Sequence, residues 1–523
     1  MYLEKTINWV IWIVQISVLT VPSTISKQEP EVDRRLYRTL REEYSQTDEN
    51  REETSARYFE QILDHFNPVN EVKFSQRYWR NSKYRKDDGP AFLIIQGEGH
   101  GVVDWVLGGQ WVSYAEAFNA DIFSLEHRFY GNSVPKNDTT VQNLIHLNSG
   151  QAIADIAYFI RGVSKEYAMS NDTKWIVFGC GYAGTLAAWL RLKYPYLVHG
   201  AVSSSAPLLA KADFSEYYQE LKSILDLHNP KCSSKIAEAN EQLDRLIKTE
   251  KGRRHASRLF QLYTELENTP EDITSLFDAL AENIAQVVQN NRGKRAASAV
   301  ITEDPPTIQT ICDIMTYAGV SALDLYAAVN IFIIKSYLWG WRNHSNKNRV
   351  ERQKNTTYPY FYYGERQWNY QLCTEFGFYQ TSSKSSDLFG AHIPSKYFTK
   401  SCEDVFGPEF NETRLNHGIY RTNTMYGGKK INVGNLVFVH GSNDPWKALG
   451  VTHVPKNAPY EIILINGTAH CGDIDPYEDG DKEELKEAQN KIIIIIFIYC
   501  ISTQSTITNY KLTSYFIIGL ELV

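Results

Sequence analysis

The turn that follows one short predicted strand has the composition of a catalytic elbow. Residues 175–178 are an apolar run typical of a buried strand, and a helical pattern continues from Thr185 until Pro195. Between them, Gly179-Cys-Gly-Tyr-Ala183 matches the small-x-nucleophile-x-small turn that holds a catalytic serine exposed above a sheet. The nucleophile position of this turn is Gly181, which has no side chain and cannot attack a carbonyl.

An acid and a base follow two later predicted strands. Asp444 comes after the apolar run of residues 435–441, and His470 comes after that of residues 461–465. A carboxylate at such a position can orient an imidazole, and the chain order of nucleophile, acid and histidine is that of the α/β-hydrolase triad. Taken singly, each residue also fits an ordinary turn aspartate or loop histidine. Their joint order favours the catalytic interpretation.

Nearby residues offer alternative nucleophiles. A thiol can replace a hydroxyl in covalent catalysis. A register that makes Cys180 the nucleophile, however, puts Phe178 and Tyr182 at flanking positions that must be small. The run Ser203-Ser-Ser205 follows the next predicted strand and is interpreted as structural. The sequence therefore predicts a site without a nucleophile.

The amino terminus and the glycosylation sequons predict a secretory route. Residues 7–21 are largely apolar and follow Lys5, so residues 1–26 are predicted to be a secretory signal peptide and not a stable membrane span. Residues 27–56 are a charged linker or propeptide. We expect a secreted or lysosomal glycoprotein. Its N-x-[ST] sequons are at Asn137, Asn171, Asn343, Asn355, Asn411 and Asn466.

Charge and cysteine spacing argue against other classes of function. A net charge of −7 predicts no basic surface for nucleic acid. The seven cysteines include no CxxC pair, so a zinc site is a poor interpretation, and we expect no metal or cofactor. In an oxidising compartment some cysteines should pair, and the odd number leaves at least one unpaired. Spacing alone leaves their connectivity open.

Short apolar runs that alternate with helical patterns predict an α/β fold with a mostly parallel sheet. A sheet domain is predicted over residues 57–209 and 429–491, with a helical cap over residues 210–428. In the cap, residues 271–288 place apolar side chains at helical spacing. The expected strands are 91–96, 121–125, 175–178, 200–203, 435–441 and 461–465.

The carboxyl terminus is harder to interpret. The apolar run that begins after Lys491 is too short to span a bilayer. It is consistent with a buried terminal helix or with an error in the gene model. We predict a helix through about Lys491 and leave residues 492–523 as an atypical tail.

Several motifs together resemble a known family of serine peptidases. From Phe59 to about Lys491 the chain is similar to the family of lysosomal Pro-Xaa carboxypeptidase, dipeptidyl peptidase II and thymus-specific serine protease. The resemblance implies an α/β-hydrolase domain interrupted by a helical cap, and cleavage of peptides beside proline. The motifs that carry it include Gly97-Glu-Gly99, Leu125-Glu-His-Arg-Phe-Tyr-Gly131, Ser204-Ser-Ala-Pro207, Asp444-Pro-Trp446 and Ala469-His-Cys471.

The resemblance also implies roles for individual residues. Asp444 takes the position of the triad acid and His470 that of the base. The backbone N–H of Tyr182 would form half of an oxyanion hole, with the segment from Gly97 to Gly99 as the other half.

In the cap of a secreted chain, disulfide crosslinks between long loops stabilise the fold by about 2–4 kcal/mol. We predict two there, Cys232–Cys312 and Cys373–Cys402.

The elbow departs from the family pattern at three of six positions. The family has Gly-Gly-Ser-Tyr-Gly-Gly, whereas this chain has Gly-Cys-Gly-Tyr-Ala-Gly, and Lys447 stands where family members often have histidine. The preferred hypothesis is an inactive peptidase homologue whose cleft still binds peptides, including proline-containing ones. The alternatives are an active serine exopeptidase, if Gly181 reflects an allele or a sequence error, and a glycoprotein with a vestigial pocket. A homodimer is left open.

Overall fold

The computed structural model describes residues 55–291, 305–336, 345–357 and 364–501. The predicted signal peptide, nearly all of the charged linker and the sequon at Asn343 lie outside these residues. The strands are β1 (Arg57–Ile62), β2 (Lys73–Asn81), β3 (Ala91–Ile95), β4 (Asp121–Leu125), β5 (Trp175–Cys180), β6 (Gly200–Ser204), β7 (Lys211–Asp213), β8 (Gly377–Tyr379), β9 (Leu436–Gly441) and β10 (Glu461–Ile465).

Helices alternate with these strands and then dominate the middle of the chain. They are α1 (Asp104–Leu107), α2 (Gln110–Phe118), α3 (Val141–Leu144), α4 (Ser149–Glu166), α5 (Tyr182–Lys193), α6 (Glu216–His228), α7 (Pro230–Ile247), α8 (Glu250–Leu259), α9 (Pro270–Gln289), α10 (Ile308–Met315), α11 (Ala322–Ser336), α12 (Asn346–Lys354), α13 (Glu365–Gln371), α14 (Ser395–Phe406), α15 (Glu412–Tyr426) and α16 (Glu483–Ile501).

Eight of the strands form one sheet in the order β1-β2-β4-β3-β5-β6-β9-β10. Strands β3, β4, β5, β6, β9 and β10 run parallel, while β1 and β2 join antiparallel at one edge. Strands β3, β4, β6 and β9 are buried along their whole length, as expected when helices cover both faces of a parallel sheet. The predicted α/β-hydrolase class is confirmed.

The sheet separates two apolar layers. Helices α4 and α5 pack on one face, in a core that continues into the helices between β6 and β9. Helices α2 and α16 pack on the other face, where Trp111 and Ile496 contribute buried side chains. Because both faces are covered, the ends of the parallel strands are left to carry a site, at the edge where β5, β9 and β10 end.

The helical segment between β6 and β9 carries two crosslinks. Cys232 of α7 is bonded to Cys312 of α10, and their Cα atoms are 5.0 Å apart. Cys373 is bonded to Cys402 of α14, with a Cα separation of 5.8 Å. Both pairs predicted for the cap are therefore joined in the structure, and all four residues are buried.

The last helix extends further than the sequence suggested. Helix α16 does not end near Lys491 but continues to Ile501, since Ile492, Ile495 and Ile496 recur at helical spacing and are buried against the sheet. In the described part of the chain, no helix is both long enough and apolar enough to cross a bilayer.

The described sequons lie at two kinds of position. Asn137, Asn171 and Asn466 are exposed. Asn355 and Asn411 are partly buried, and the Asn411 side chain caps α15 by accepting a hydrogen bond from the N–H of Arg414. Glycosylation therefore stays a prediction, with the three exposed asparagines as its best acceptors.

Candidate active site

The elbow forms a tight strand-to-helix turn. Strand β5 ends at Cys180 and α5 begins at Tyr182, so Gly181 alone makes the turn, with φ 58° and ψ −125°. Its N–H donates to the carbonyl of Ser204 on the neighbouring strand, at 2.9 Å. A Cβ atom at Gly179 would collide with the carbonyl of Ala183. Strand β5 and helix α5 can therefore lie this close together only because residue 179 is a glycine.

Gly181 faces the imidazole of His470. A Cβ atom built on Gly181 would lie 3.3 Å from His470 Nε2 and 3.8 Å from Cε1. A side chain at this position would thus point at the ring nitrogen that takes a proton from the nucleophile in a hydrolase triad. The elbow has the geometry of a nucleophile turn, and the atom that would attack is missing.

Asp444 and His470 are brought together as the sequence order suggested. His470 Nδ1 lies 3.0 Å from Asp444 Oδ2, and the Asp444 side chain is fully buried. The other carboxylate oxygen of Asp444 accepts the backbone N–H of Trp446 at 2.9 Å. Each residue lies just beyond the end of its strand, β9 or β10, and these two strands pair in parallel.

The Asp444 carboxylate is held in its ionised form. Burial acts to raise its pKa, but the neighbouring His470 and the hydrogen bonds from His470 and Ser205 outweigh it and leave the pKa below its usual value. An ionised carboxylate only accepts hydrogen bonds, so His470 Nδ1 must carry the proton. Whenever the ring is neutral, the Nε2 atom that faces Gly181 is therefore its basic nitrogen.

Two residues hold the His470 loop: Ser205, which the sequence analysis interpreted as structural, and Gln289, which it did not single out. Ser205 accepts the backbone N–H of Cys471 at 2.9 Å and also hydrogen-bonds to Asp444, so it ties the acid to the base loop. Gln289, the last residue of α9, accepts the backbone N–H of His470 through its carbonyl at 3.1 Å. The helical segment between β6 and β9 thus contacts the His470 loop directly. Neither contact has a local sequence signal, because both partners are distant along the chain.

The segment proposed for the oxyanion hole lies against the start of α5. A Cβ atom at Gly97 would be 3.6 Å from the amide nitrogen of Ala183 and 3.9 Å from the ring of Tyr182. The N–H of Gly99, by contrast, donates to the carbonyl of Gly97 at 3.0 Å. Of the two glycines, Gly97 is therefore better placed to act with the N–H of Tyr182.

A buried network supports the first residue of α5. The hydroxyl of Tyr182 accepts a hydrogen bond from Gln371 Nε2 at 2.9 Å and lies 3.2 Å from His127 Nε2. Tyr130 donates to Gln371 Oε1 at 2.6 Å. Burial lowers the pKa of His127 to about 4, so the ring stays neutral. Two residues of the motif at 125–131, His127 and Tyr130, thus support the first residue of α5.

Cys180 is not a free thiol. It is bonded to Cys471, the residue that follows His470, across 291 positions of sequence and with a Cα separation of 5.8 Å. This third disulfide was not predicted. It joins the elbow to the base loop, and in this state Cys180 has no thiolate with which to act as a nucleophile.

An aromatic wall, formed by Trp446 and the buried rings of Tyr217 and Phe378 that pack on it, lies next to His470. The Trp446 ring lies 6.4 Å from that of His470, 5.5 Å from Tyr217 and 5.8 Å from Phe378, between ring centroids. Trp446 Nε1 donates to Gln289 Oε1 at 2.9 Å, and the Tyr217 hydroxyl donates to the same oxygen at 2.8 Å. The following residue, Lys447, pairs with Glu220 of α6 at 2.5 Å.

The chain resembles known serine peptidases over most of its length. The sequence model of the family described as Serine carboxypeptidase S28 matches residues 61–492. Thymus-specific serine protease of Mus musculus is 32% identical over 446 residues, which cover 83% of this chain and 85% of that protein. Lysosomal Pro-X carboxypeptidase of Homo sapiens is 29% identical over 432 residues, which cover 80% and 82%.

Among solved structures, the proline iminopeptidase of Mycobacterium smegmatis matches 85% of this chain and 99% of its own at 11% identity, with a TM-score of 0.36. The family match contains the elbow, Asp444 and His470.

Proposed function

Because the chain belongs to the serine carboxypeptidase S28 family, we propose that it is a peptide-binding homologue that has lost hydrolytic activity. The observation that carries this proposal is the orientation of Gly181. A Cβ atom built on this residue would lie 3.3 Å from His470 Nε2, but glycine has no side chain there. Asp444 and His470 keep the geometry of an acid–base pair, but position 181 offers them no hydroxyl or thiol to activate, and Cys180 is bonded to Cys471. The cleft around Asp444 and His470 can bind and orient a peptide without forming an acyl-enzyme.

We expect the purified protein to stay unlabelled by a fluorophosphonate probe and to leave prolyl peptides uncleaved. The probe needs an oxygen nucleophile at the elbow, and Gly181 supplies none. Intact-mass spectrometry after incubation with the probe measures the outcome. Stoichiometric labelling that maps to residues 179–184 would contradict the proposal and support the active exopeptidase instead.

The aromatic wall supports retained peptide binding. The Trp446 ring is partly exposed beside His470 and is held by edge contacts from the buried rings of Tyr217 and Phe378, and an aromatic ring of this kind packs well against the flat, rigid ring of proline. Relatives named for cleavage at Pro-X bonds make a proline-containing peptide the first ligand to test. A secreted or lysosomal location, entered through the predicted signal peptide, is part of the same proposal.

We expect Gly-Pro-Phe to bind more tightly than Gly-Ala-Phe in isothermal titration calorimetry, and Trp446→Ala to weaken binding of the prolyl peptide by about tenfold or more, the loss expected for one buried aromatic anchor. Tyr420→Ala removes an aromatic side chain that is 73% exposed on α15 and serves as the matched control. If neither peptide binds the folded protein, the pocket is vestigial and the glycoprotein hypothesis takes its place.

A further inference from the structure

The disulfide between Cys180 and Cys471 differs in setting from the other two that the structure describes. Those two lie within the helical insertion, and all four of their cysteines are buried. Cys471 is buried as well, but Cys180 is partly exposed at the end of β5. Of the three described disulfides, this one alone includes a cysteine that is partly exposed.

The groups around this bond suit thiol–disulfide exchange. The two sulfur atoms and a ring nitrogen of His470 all lie within 4.8 Å of one another. Helix α5 is 12 residues long and begins at Tyr182, so its positive amino-terminal end is only two residues from Cys180 along the chain. An imidazole and a helix amino terminus are the surroundings that stabilise a thiolate and speed its exchange.

We propose that the Cys180–Cys471 bond is a thiol–disulfide exchange site for a small or peptide-borne thiol. The incoming thiolate attacks Cys180 Sγ and forms a mixed disulfide, while the bond to Cys471 breaks. The incoming thiol first gives its proton to the basic nitrogen of His470, and the Cys471 sulfur, which leaves as a thiolate, takes up that proton from His470. Attack by Cys471 on the mixed disulfide reverses the step and releases the thiol, so no further oxidant or reductant is needed.

The two adjacent departures in the elbow fit this activity together. Cys180 supplies the exchangeable sulfur. Gly181 leaves open the space in front of His470, which a side chain at that position would occupy at 3.3 Å from Nε2. The proposal is independent of peptide binding, since a protein that bound no peptide would still exchange thiols here.

The rate of exchange in the native protein tests the proposal. With excess reduced glutathione and differential alkylation read by mass spectrometry, we expect Cys471 to become alkylatable at least tenfold faster than the cysteines of either other disulfide, with the circular dichroism spectrum unchanged. Cys180 should carry glutathione at first, and a second glutathione, which leaves as oxidised glutathione, should then free it. Cys500, which is a free thiol, is an internal control for alkylation that depends on unfolding. Burial raises the pKa of its thiol to about 12, so it should stay unalkylated while the fold is intact. Equal rates for all three disulfides, or reduction only with loss of the spectrum, would overturn it.

Trapping identifies the attacked sulfur. With oxidised glutathione, Cys471→Ser should acquire one glutathione at Cys180, whereas Cys402→Ser, which frees the buried Cys373, should acquire none there. His470→Gln should slow the reduction of Cys180–Cys471 several-fold and leave the other two rates unchanged. Absence of glutathione on Cys180 in the folded variant, or no effect of His470→Gln, contradicts the mechanism. If Cys471→Ser fails to fold, the wild-type rates decide.

Discussion

Gly181→Ser is expected to make the protein react with a fluorophosphonate and hydrolyse prolyl peptides slowly. The new Cβ atom would lie 3.3 Å from His470 Nε2, on the basic side of a ring that Asp444 already orients. Complete triads contribute about 10⁶-fold to turnover in serine peptidases, so even an imperfect one should exceed the parent's background by about 100-fold or more. Single-turnover acylation and peptide turnover measure this.

The restored serine should also destabilise the fold. At φ 58° a residue other than glycine carries backbone strain of about 1–3 kcal/mol, and the 3.3 Å contact requires the His470 ring to shift slightly. Thermal denaturation should therefore show a lower midpoint for Gly181→Ser than for the parent.

Ala183 is the companion position for this experiment. Its methyl group lies 3.7 Å from where a Cβ atom of Gly97 would be, so it faces the segment proposed for the oxyanion hole. We expect Gly181→Ser with Ala183→Gly to acylate faster than Gly181→Ser alone, and a further His470→Ala change to abolish the reaction. A folded double variant that forms no acyl-enzyme and matches the parent's stability would refute the assignment of the elbow and its base.

The strands were predictable wherever burial on both faces made the sequence continuously apolar. Strand β4 has the predicted bounds and β3 differs by one residue. A parallel strand that is buried on both faces is apolar at almost every position, so its ends are easy to locate in the sequence. Strands β1 and β2 were not predicted. β1 alternates partly buried with exposed residues at the antiparallel edge, and its pattern resembles that of a charged loop.

Only the parts of the site that follow from the order of residues along the chain were predictable. The order of elbow, acid and histidine pointed to Asp444 and His470, and the structure brings the two side chains together. The bond between Cys180 and Cys471 could not be derived, since a pairing across 291 residues depends on how β5 and β10 end at the same edge of the sheet. The support from Ser205 is equally non-local, because its hydroxyl reaches a backbone N–H of the base loop.

The terminal helix is expected to be essential for folding. Truncation after Lys491 would remove Ile492, Ile495, Ile496 and Tyr499, all of which are buried against the sheet. Four such side chains stabilise by about 6–12 kcal/mol in total, comparable with the whole stability of a typical domain. The Tyr499 ring also packs on Gly200 of β6, where a Cβ atom would collide with it. The truncated protein should therefore be largely unfolded, as judged by circular dichroism and limited proteolysis.

A pair of single substitutions tests the same helix without truncation. Ile496 is fully buried, so Ile496→Ala should lower the free energy of unfolding by about 2–5 kcal/mol. Ile494 lies two residues away and is 51% exposed, so Ile494→Ala should change it by no more than about 0.5 kcal/mol. Denaturant titration of both variants measures the difference. Because the two changes remove the same atoms from the same helix, equal effects would mean that residues 492–501 do not pack on the sheet, and the sequence after Lys491 would then be dispensable.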